Sequence, residues 1–221
     1  MNFEEGALGR LFSVEHSKAA YLADFALLYA SIAALATFLV VTGTGARRGE
    51  VAAFALTGLG GWTLIEYVLH RFVLHGLEPF QRWHALHHRR QTDLIYAPSI
   101  LTVSGVAGLV FLPAWMLGDL SAACALMFGF LIGYVAYSIT HHAVHHWSGR
   151  GGWLRRRKRW HSLHHRPSQP AGRYGVTTAF WDHVFRSTAQ PPVRRAGIRQ
   201  AVAPLAAAAA DAAAADDRFP S

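Results

Sequence analysis

All but two of the fourteen histidines sit in four tight clusters. These are His70-Arg-Phe-Val-Leu-His75, His84-Ala-Leu-His87-His88, His141-His142-Ala-Val-His145-His146 and His161-Ser-Leu-His164-His165. The pattern His-x-x-His-His occurs twice, and on a helix of about 3.6 residues per turn its members share one face. Neutral imidazole is the commonest metal ligand and suits iron, zinc and copper alike. Three ligands on one face, supplied twice with further pairs between, exceed what one tetrahedral ion needs. The spacing predicts a site for two metal ions. His70 and His75 are five residues apart, about 140° around an α-helix, so we expect them to serve different metals or to flank a bend. Either His141 with His145 or His142 with His146 supplies an i, i+4 pair.

Histidines spread over a hundred residues need elements that bring them to one level. Hydrophobic residues make up 52% of the chain and charged residues 15%, and the mean hydropathy is +0.19, so a membrane protein is the first class to test. Residues 25–42, 97–117 and 120–140 carry no charge, and 51–69 carry only Glu66. At about 1.5 Å per residue each can cross a hydrocarbon core of roughly 30 Å. We expect an all-α integral membrane fold with four transmembrane helices at about 22–42, 51–70, 97–117 and 120–141, and a short helix from about Phe80 to Arg90. The membrane domain would run from 1 to 187, followed by a low-complexity tail, 188–221, with no chemistry assigned. The first twenty residues lack the short apolar core of a cleavable signal.

Orientation follows from the basic residues. With a cytoplasmic N-terminus, segments 1–20, 71–93 and 147–221 lie on one side and hold 2, 4 and 13 of the 21 Lys and Arg. The opposite loops hold only Arg47 and Arg48. The positive-inside rule places both termini and every histidine cluster at the cytoplasmic face, forming a histidine-rich di-metal cap. The net charge of +8 then reflects flanks attracted to anionic headgroups, and Arg155-Arg-Arg-Lys-Arg159 an interfacial anchor; we expect no nucleic-acid partner.

The order His-x4-His, His-x2-His-His, His-x3-His, His-x2-His-His resembles the integral-membrane fatty acid hydroxylase / sterol desaturase superfamily, and most closely bacterial fatty acid hydroxylases. Flanking words agree: Glu66-Tyr-x-x-His70-Arg-Phe-x-x-His75-Gly76, Asp93 and Pro98 after the second cluster, Gly133-Tyr-Val-x-Tyr137 before the third, and the ending Gly175-Val-Thr-Thr-x-x-Trp181-Asp182-x-Val-Phe185. The resemblance spans roughly residues 60–187. It implies ten metal ligands: His70, His75, His84, His87, His88, His141, His145, His161, His164 and His165. It selects His141 and His145 in the third cluster, since a Tyr usually fills the position of His142; His146 and His142 rank below the ten. It further implies two iron ions, with zinc possible in the purified protein, O2 as co-substrate, and hydroxylation of a membrane lipid, a fatty acyl chain before a carotenoid or sterol. A separate electron-donor protein and a bacterial inner-membrane location are expected with it.

Two divalent ions in an all-imidazole shell carry uncompensated charge, so we expect outer carboxylates to accept the distal ring N–H groups. Candidates are Glu66, Asp93 and Asp182. Asp24 reads as an interfacial helix end, Trp62 as part of an aromatic belt, His16 as surface and His183 as a non-ligand. Gly129-x-x-x-Gly133 fits either helix packing or ordinary membrane glycine usage. A metal transporter would place ligands at mid-bilayer on broken helices. A haem b cytochrome would leave most of the clustered histidines unexplained.

Overall fold

The computed structural model describes residues 17–43, 45–94, 99–149, 151–166 and 172–188, all within the compact unit Met1–Thr188. His16, Pro98 and the tail beyond Thr188 lie outside the described residues. Regular structure in the described part is entirely helical.

Four helices are long and apolar enough to cross a membrane: α1 (Lys18–Thr42), α2 (Arg48–Leu74), α4 (Ser99–Leu117) and α5 (Leu120–His146). Between α2 and α4 lies α3 (Phe80–Arg89). After α5 come α6 (Gly152–His164) and the single turn α7 (Phe180–Val184). The starts are set by side chains that accept from orphan backbone N–H groups: Ser17 from Ala20, and Asp119 from Ala122. Glycines end α1 and α4, the Gly43 N–H reaching the Leu39 carbonyl and the Gly118 N–H that of Ala114.

Helix α5 is the axis of the bundle. It is mostly buried, whereas α1 and α4 leave residues such as Val40, Leu109, Met116 and Leu117 more than three-quarters exposed. That inverted surface is what a helix surrounded by lipid presents. The closest packing is α2 against α5, and small residues make it possible. A Cβ on Gly58 would collide with the Leu126 carbonyl, and one on Gly129 with the Ala55 carbonyl. Gly129 and Gly133 therefore do mediate packing, Gly133 facing the Trp62 side chain. Trp62 is 2% exposed and lies 4.9 Å from the Tyr134 ring, ring centre to ring centre. It is a core residue rather than part of an interfacial belt, because the glycine-lined contact leaves room for an indole.

The transmembrane bounds differ from the expected ones mainly at the histidine-bearing ends. Helix α2 runs on to Leu74 and α5 to His146, because each continues past the apolar stretch into the cap. The last six residues of α2, Leu69–Leu74, form a π-helical turn.

Candidate metal centre

The ten histidines that the resemblance selects converge into two groups of five. One contains His70, His75, His84, His88 and His164; the other His87, His141, His145, His161 and His165. Within each group one ring nitrogen per residue lies within 4.8 Å of all the others. Nitrogens bound to one ion at about 2.1 Å are separated by about 3–4 Å, so both sets have the dimensions of a coordination shell.

The two His-x-x-His-His words do not act as the one-face triplets expected from spacing. His84 and His88 enter the first group and His87 the second; His161 and His165 enter the second and His164 the first. On each helix the i, i+4 pair stacks along one edge while the i+3 residue is turned by about 60°. Two helices meeting there exchange one histidine each. The groups touch where the His88 and His165 rings stack at 4.1 Å and 15°.

His70 and His75 share a group, their rings 5.3 Å apart. The reason is the π-turn between them: with i→i+5 bonding the turn is wider, and residues five apart come into line. An α-helical angle does not apply to that segment.

Backbone carbonyls orient two of the rings. His70 Nδ1 lies 2.5 Å from the Tyr174 carbonyl oxygen and His164 Nδ1 lies 2.7 Å from that of Gly172. A carbonyl only accepts, so both Nδ1 atoms carry the proton and both Nε2 atoms present a lone pair. Those lone pairs face other imidazoles: His70 Nε2 is 3.0 Å from His84 Nε2, and His164 Nε2 is 3.1 Å from His75 Nε2. In the second group His161 Nε2 is 2.9 Å from Nε2 of both His145 and His165. Both ring nitrogens of His87 are buried without a hydrogen-bond partner among the described residues. Buried nitrogens left unpaired are costly, and a cation at each focus would satisfy them together. The donor set fits a metal ion.

Burial keeps these imidazoles neutral, the form that binds metal. Outside the membrane-spanning helices it pushes His75 and His88 down to about 4, and His87 and His164 to about 3. His84, His161 and His165 are lowered too, by burial first and then by neighbouring imidazoles.

The carboxylates do not accept from the rings. Glu66 accepts from the backbone N–H groups of Val176 and Thr177, at 2.7 and 2.9 Å, and from the Thr177 hydroxyl. Asp182, fully buried, accepts from the N–H groups of Tyr174 and Gly175 at 2.8 Å, from the Ser187 hydroxyl and from the Trp160 indole. Both hold the 174–177 strap, whose Tyr174 carbonyl in turn fixes His70. Backbone donors outcompete ring N–H groups here because the strap's amides would otherwise be buried unpaired. Gly175 admits the close approach: a Cβ there would collide with the Thr178 carbonyl. Between the two orienting carbonyls Arg173 takes a left-handed backbone, φ 60. Asp93, the third candidate, pairs instead with Arg90 at 2.5 Å, three residues back in a half-exposed turn, and contacts no histidine among the described residues.

His142 and His146 belong to neither group. They stack on each other at 4.4 Å, and His142 Nδ1 lies 2.9 Å from the Tyr21 hydroxyl of α1. His183 packs beside Trp160. Asp24 is more than a helix end: it accepts from the backbone N–H and hydroxyl of Ser99, capping α4 from α1. Spacing held no signal for these contacts, nor for the carbonyls of Gly172 and Tyr174, since every residue has a carbonyl.

A cavity of about 320 Å³ opens onto the histidines of both groups, including His70, His87 and His141. Tyr21, Asp24, Ser99 and His142 border it near the cap. From there it follows α4 to Leu109 and Val110, roughly 15 Å into the apolar part of the helix.

The chain resembles known proteins in sequence and in fold. The family model described as fatty acid hydroxylase matches residues 55–187. The dihydroceramide fatty acyl 2-hydroxylase FAH2 of Arabidopsis thaliana is 34% identical over 152 residues, covering 62% of this chain and 60% of that protein. The fatty acid 2-hydroxylase of Homo sapiens is 31% identical over 139 residues, 57% of this chain and 37% of that one. A solved structure of full-length scs7p, with only the hydroxylase domain visible, matches with a TM-score of 0.63 at 25% identity, covering 82% of this chain and 69% of that one. The matched region spans about three fifths of the length of the plant relatives.

Proposed function

The chain belongs to the fatty acid hydroxylase family, and from that premise we propose that it is a membrane-bound, O2-dependent hydroxylase of a lipid acyl chain. The observation that carries this reading is the meeting of two five-imidazole groups with one lipid-directed cavity. The ten histidines are proposed as the ligands of two iron ions. Imidazole suits iron and zinc alike; iron is proposed from membership of the family, with zinc as the ion that can replace it during purification. Once bound, the metal pair would supply the activation of O2 and the oxidising power to break an unactivated C–H bond.

The chain's own residues have narrower tasks. The Gly172 and Tyr174 carbonyls hold His164 and His70 in the Nδ1–H form, so that Nε2 points inward. Glu66 and Asp182 keep the strap that carries the Tyr174 carbonyl in place. The apolar cavity excludes water and aligns a chain with its tail toward Leu109. Its polar end borders the histidines, which favours oxidation near the head of the acyl chain, in line with the 2-hydroxylase names of the relatives. A transporter is disfavoured because the histidines lie at helix ends rather than at mid-bilayer.

Electrons are proposed to come from a separate protein. The basic asymmetry of the chain supports both termini facing the cytoplasm, in a bacterial inner membrane. The test is mass spectrometry of total lipids from cells with and without the chain, grown under 18O2. The reading expects one labelled oxygen on an acyl chain, absent from cells carrying His161→Ala. No labelled lipid in cells holding the metal-loaded protein would reject it.

A further inference from the structure

The aromatic side chains behind the second histidine group form a continuous stack. The Tyr137 ring lies on that of His141 at 5.7 Å and 7°. Tyr134 stacks on Tyr137 in turn, at 6.2 Å and 14°. Trp62 closes the set, 6.0 Å from Tyr137 and 4.9 Å from Tyr134, ring centre to ring centre. These are separations of aromatic rings in contact. Electron-rich rings therefore lead from a candidate metal ligand into the α2–α5 core.

The stack ends in a hydrogen-bond chain whose direction is fixed. An ionised Asp24 only accepts, so the one hydrogen of the Ser99 hydroxyl points to its Oδ2, at 2.5 Å. The Tyr134 hydroxyl, 2.8 Å from Ser99 Oγ, is then the donor to Ser99. Thr102 is the other partner of the phenol. Tyr134 and Ser99 are buried and Asp24 is partly exposed, so the chain carries a proton outward. Trp62 has no such exit: its indole N–H is buried without a partner among the described residues.

Resting on the reading of an O2-dependent hydroxylase, we infer that Tyr134 is an internal electron source that quenches the oxidised metal centre when no lipid is bound. Tyr134 gives up one electron, which passes through the Tyr137 ring toward the metals held by His141 and its neighbours. Its phenol proton moves to Ser99 as the Ser99 proton moves to Asp24. The products are a neutral tyrosyl radical, a protonated Asp24 and a metal pair reduced by one electron. One electron from the donor protein and the proton on Asp24 restore the phenol. Trp62 can pass charge but cannot shed its proton, so the oxidation comes to rest on Tyr134.

The need for such a donor follows from the chemistry. A centre able to break an unactivated C–H bond has its own imidazoles as nearest targets when the cavity is empty, and the protein must exclude that reaction. Core packing would account for the rings, and capping of α4 for Asp24. The test therefore reads something that neither of those roles moves, the radical itself.

The iron-loaded protein in detergent micelles, chemically reduced and free of lipid substrate, is mixed with O2 and freeze-quenched for electron paramagnetic resonance. Wild type should give a radical whose hyperfine splitting narrows when tyrosines are ring-deuterated and not when tryptophans are. With yields normalised to bound iron, Tyr134→Phe should lower the signal about tenfold or more. Ser99→Ala leaves the phenol but removes the positioned proton acceptor, and should lower it by a similar roughly tenfold factor. Ser99→Thr, which keeps the hydroxyl, should stay within about twofold of wild type. After repeated lipid-free exposure to O2, peptide mass spectrometry should find oxidation of His141 and His145 about threefold higher in Tyr134→Phe and Ser99→Ala than in wild type. No tyrosine radical in wild type, a radical assigned to tryptophan, or an undiminished signal in both variants would each overturn the assignment. A Tyr134 radical in a protein that never oxidises a lipid would remove the hydroxylase reading and leave the electron source standing; labelled lipid without the radical would do the reverse.

Discussion

At the scale of the residue, Asp182 shows how the candidate centre is held from a distance. Its two oxygens accept from backbone N–H groups of Tyr174 and Gly175, and the Tyr174 carbonyl then orients His70. Asp182→Asn keeps the size but turns one acceptor into an NH2 group facing a backbone N–H. We expect a roughly 10- to 100-fold loss of metal affinity or turnover, as for other outer partners of ligating histidines. Metal titration and turnover of that variant check it, and wild-type values for both would reduce Asp182 to a packing residue. The four histidine clusters were legible from ordered spacing, the choice of ten among them from the family resemblance, Glu66 from its rarity in an apolar helix, and Asp182 from its place in the family-like ending. Their contacts were not legible. The sequence pattern suggested ring N–H groups as partners, but a buried strap of amides makes the stronger demand. Asp93 misled because its neighbour Arg90, three residues back, offers a closer charge than any imidazole. The Tyr21–His142 contact joins residues 121 positions apart, and nothing local announces it.

At the scale of the element, the membrane helices were readable because lipid imposes a simple rule: a spanning segment must be long, apolar and internally hydrogen-bonded. What hydropathy does not report is where a helix continues beyond the apolar stretch, or how its turns are wound. The π-turn at Leu69–Leu74 is invisible to residue counting, and it decides that His70 and His75 share a group. The α2–α5 contact makes a sharper claim. Gly129 faces the Ala55 carbonyl and Gly58 the Leu126 carbonyl, so the helices approach backbone to backbone. Gly129→Leu should push α2 away from α5, with overpacking costing about 1–3 kcal/mol or more, and loosen both histidine groups, since α2 carries His70 and α5 carries His141 and His145. The expected outcome is a lower unfolding temperature in detergent together with reduced metal content. Gly60→Leu, where a Cβ meets nothing within 4 Å, is the control that should match wild type. Equal behaviour of the two variants would remove the packing argument.

At the scale of the whole molecule, α2 and α5 end in histidines, and α3 and α6 carry the rest, so four stretches distant in the chain meet at one level. The basic residues are distributed to match, which is why topology and motif could be read separately from the sequence and still coincide. A reporter fused after Ser221 should lie in the cytoplasm and one inserted at Gly118 on the opposite side of the membrane; both on one side would refute the four-span arrangement. The central claim is that each five-histidine group holds one ion, and metal stoichiometry tests it most directly. The protein is loaded anaerobically with ferrous iron, freed of excess, and its iron-to-chain ratio measured by elemental analysis. The account predicts two irons per chain in wild type and one when His161 and His165 are both replaced by alanine, since both belong to the same group. One iron or none in folded wild type, or two retained in the double variant, would contradict it.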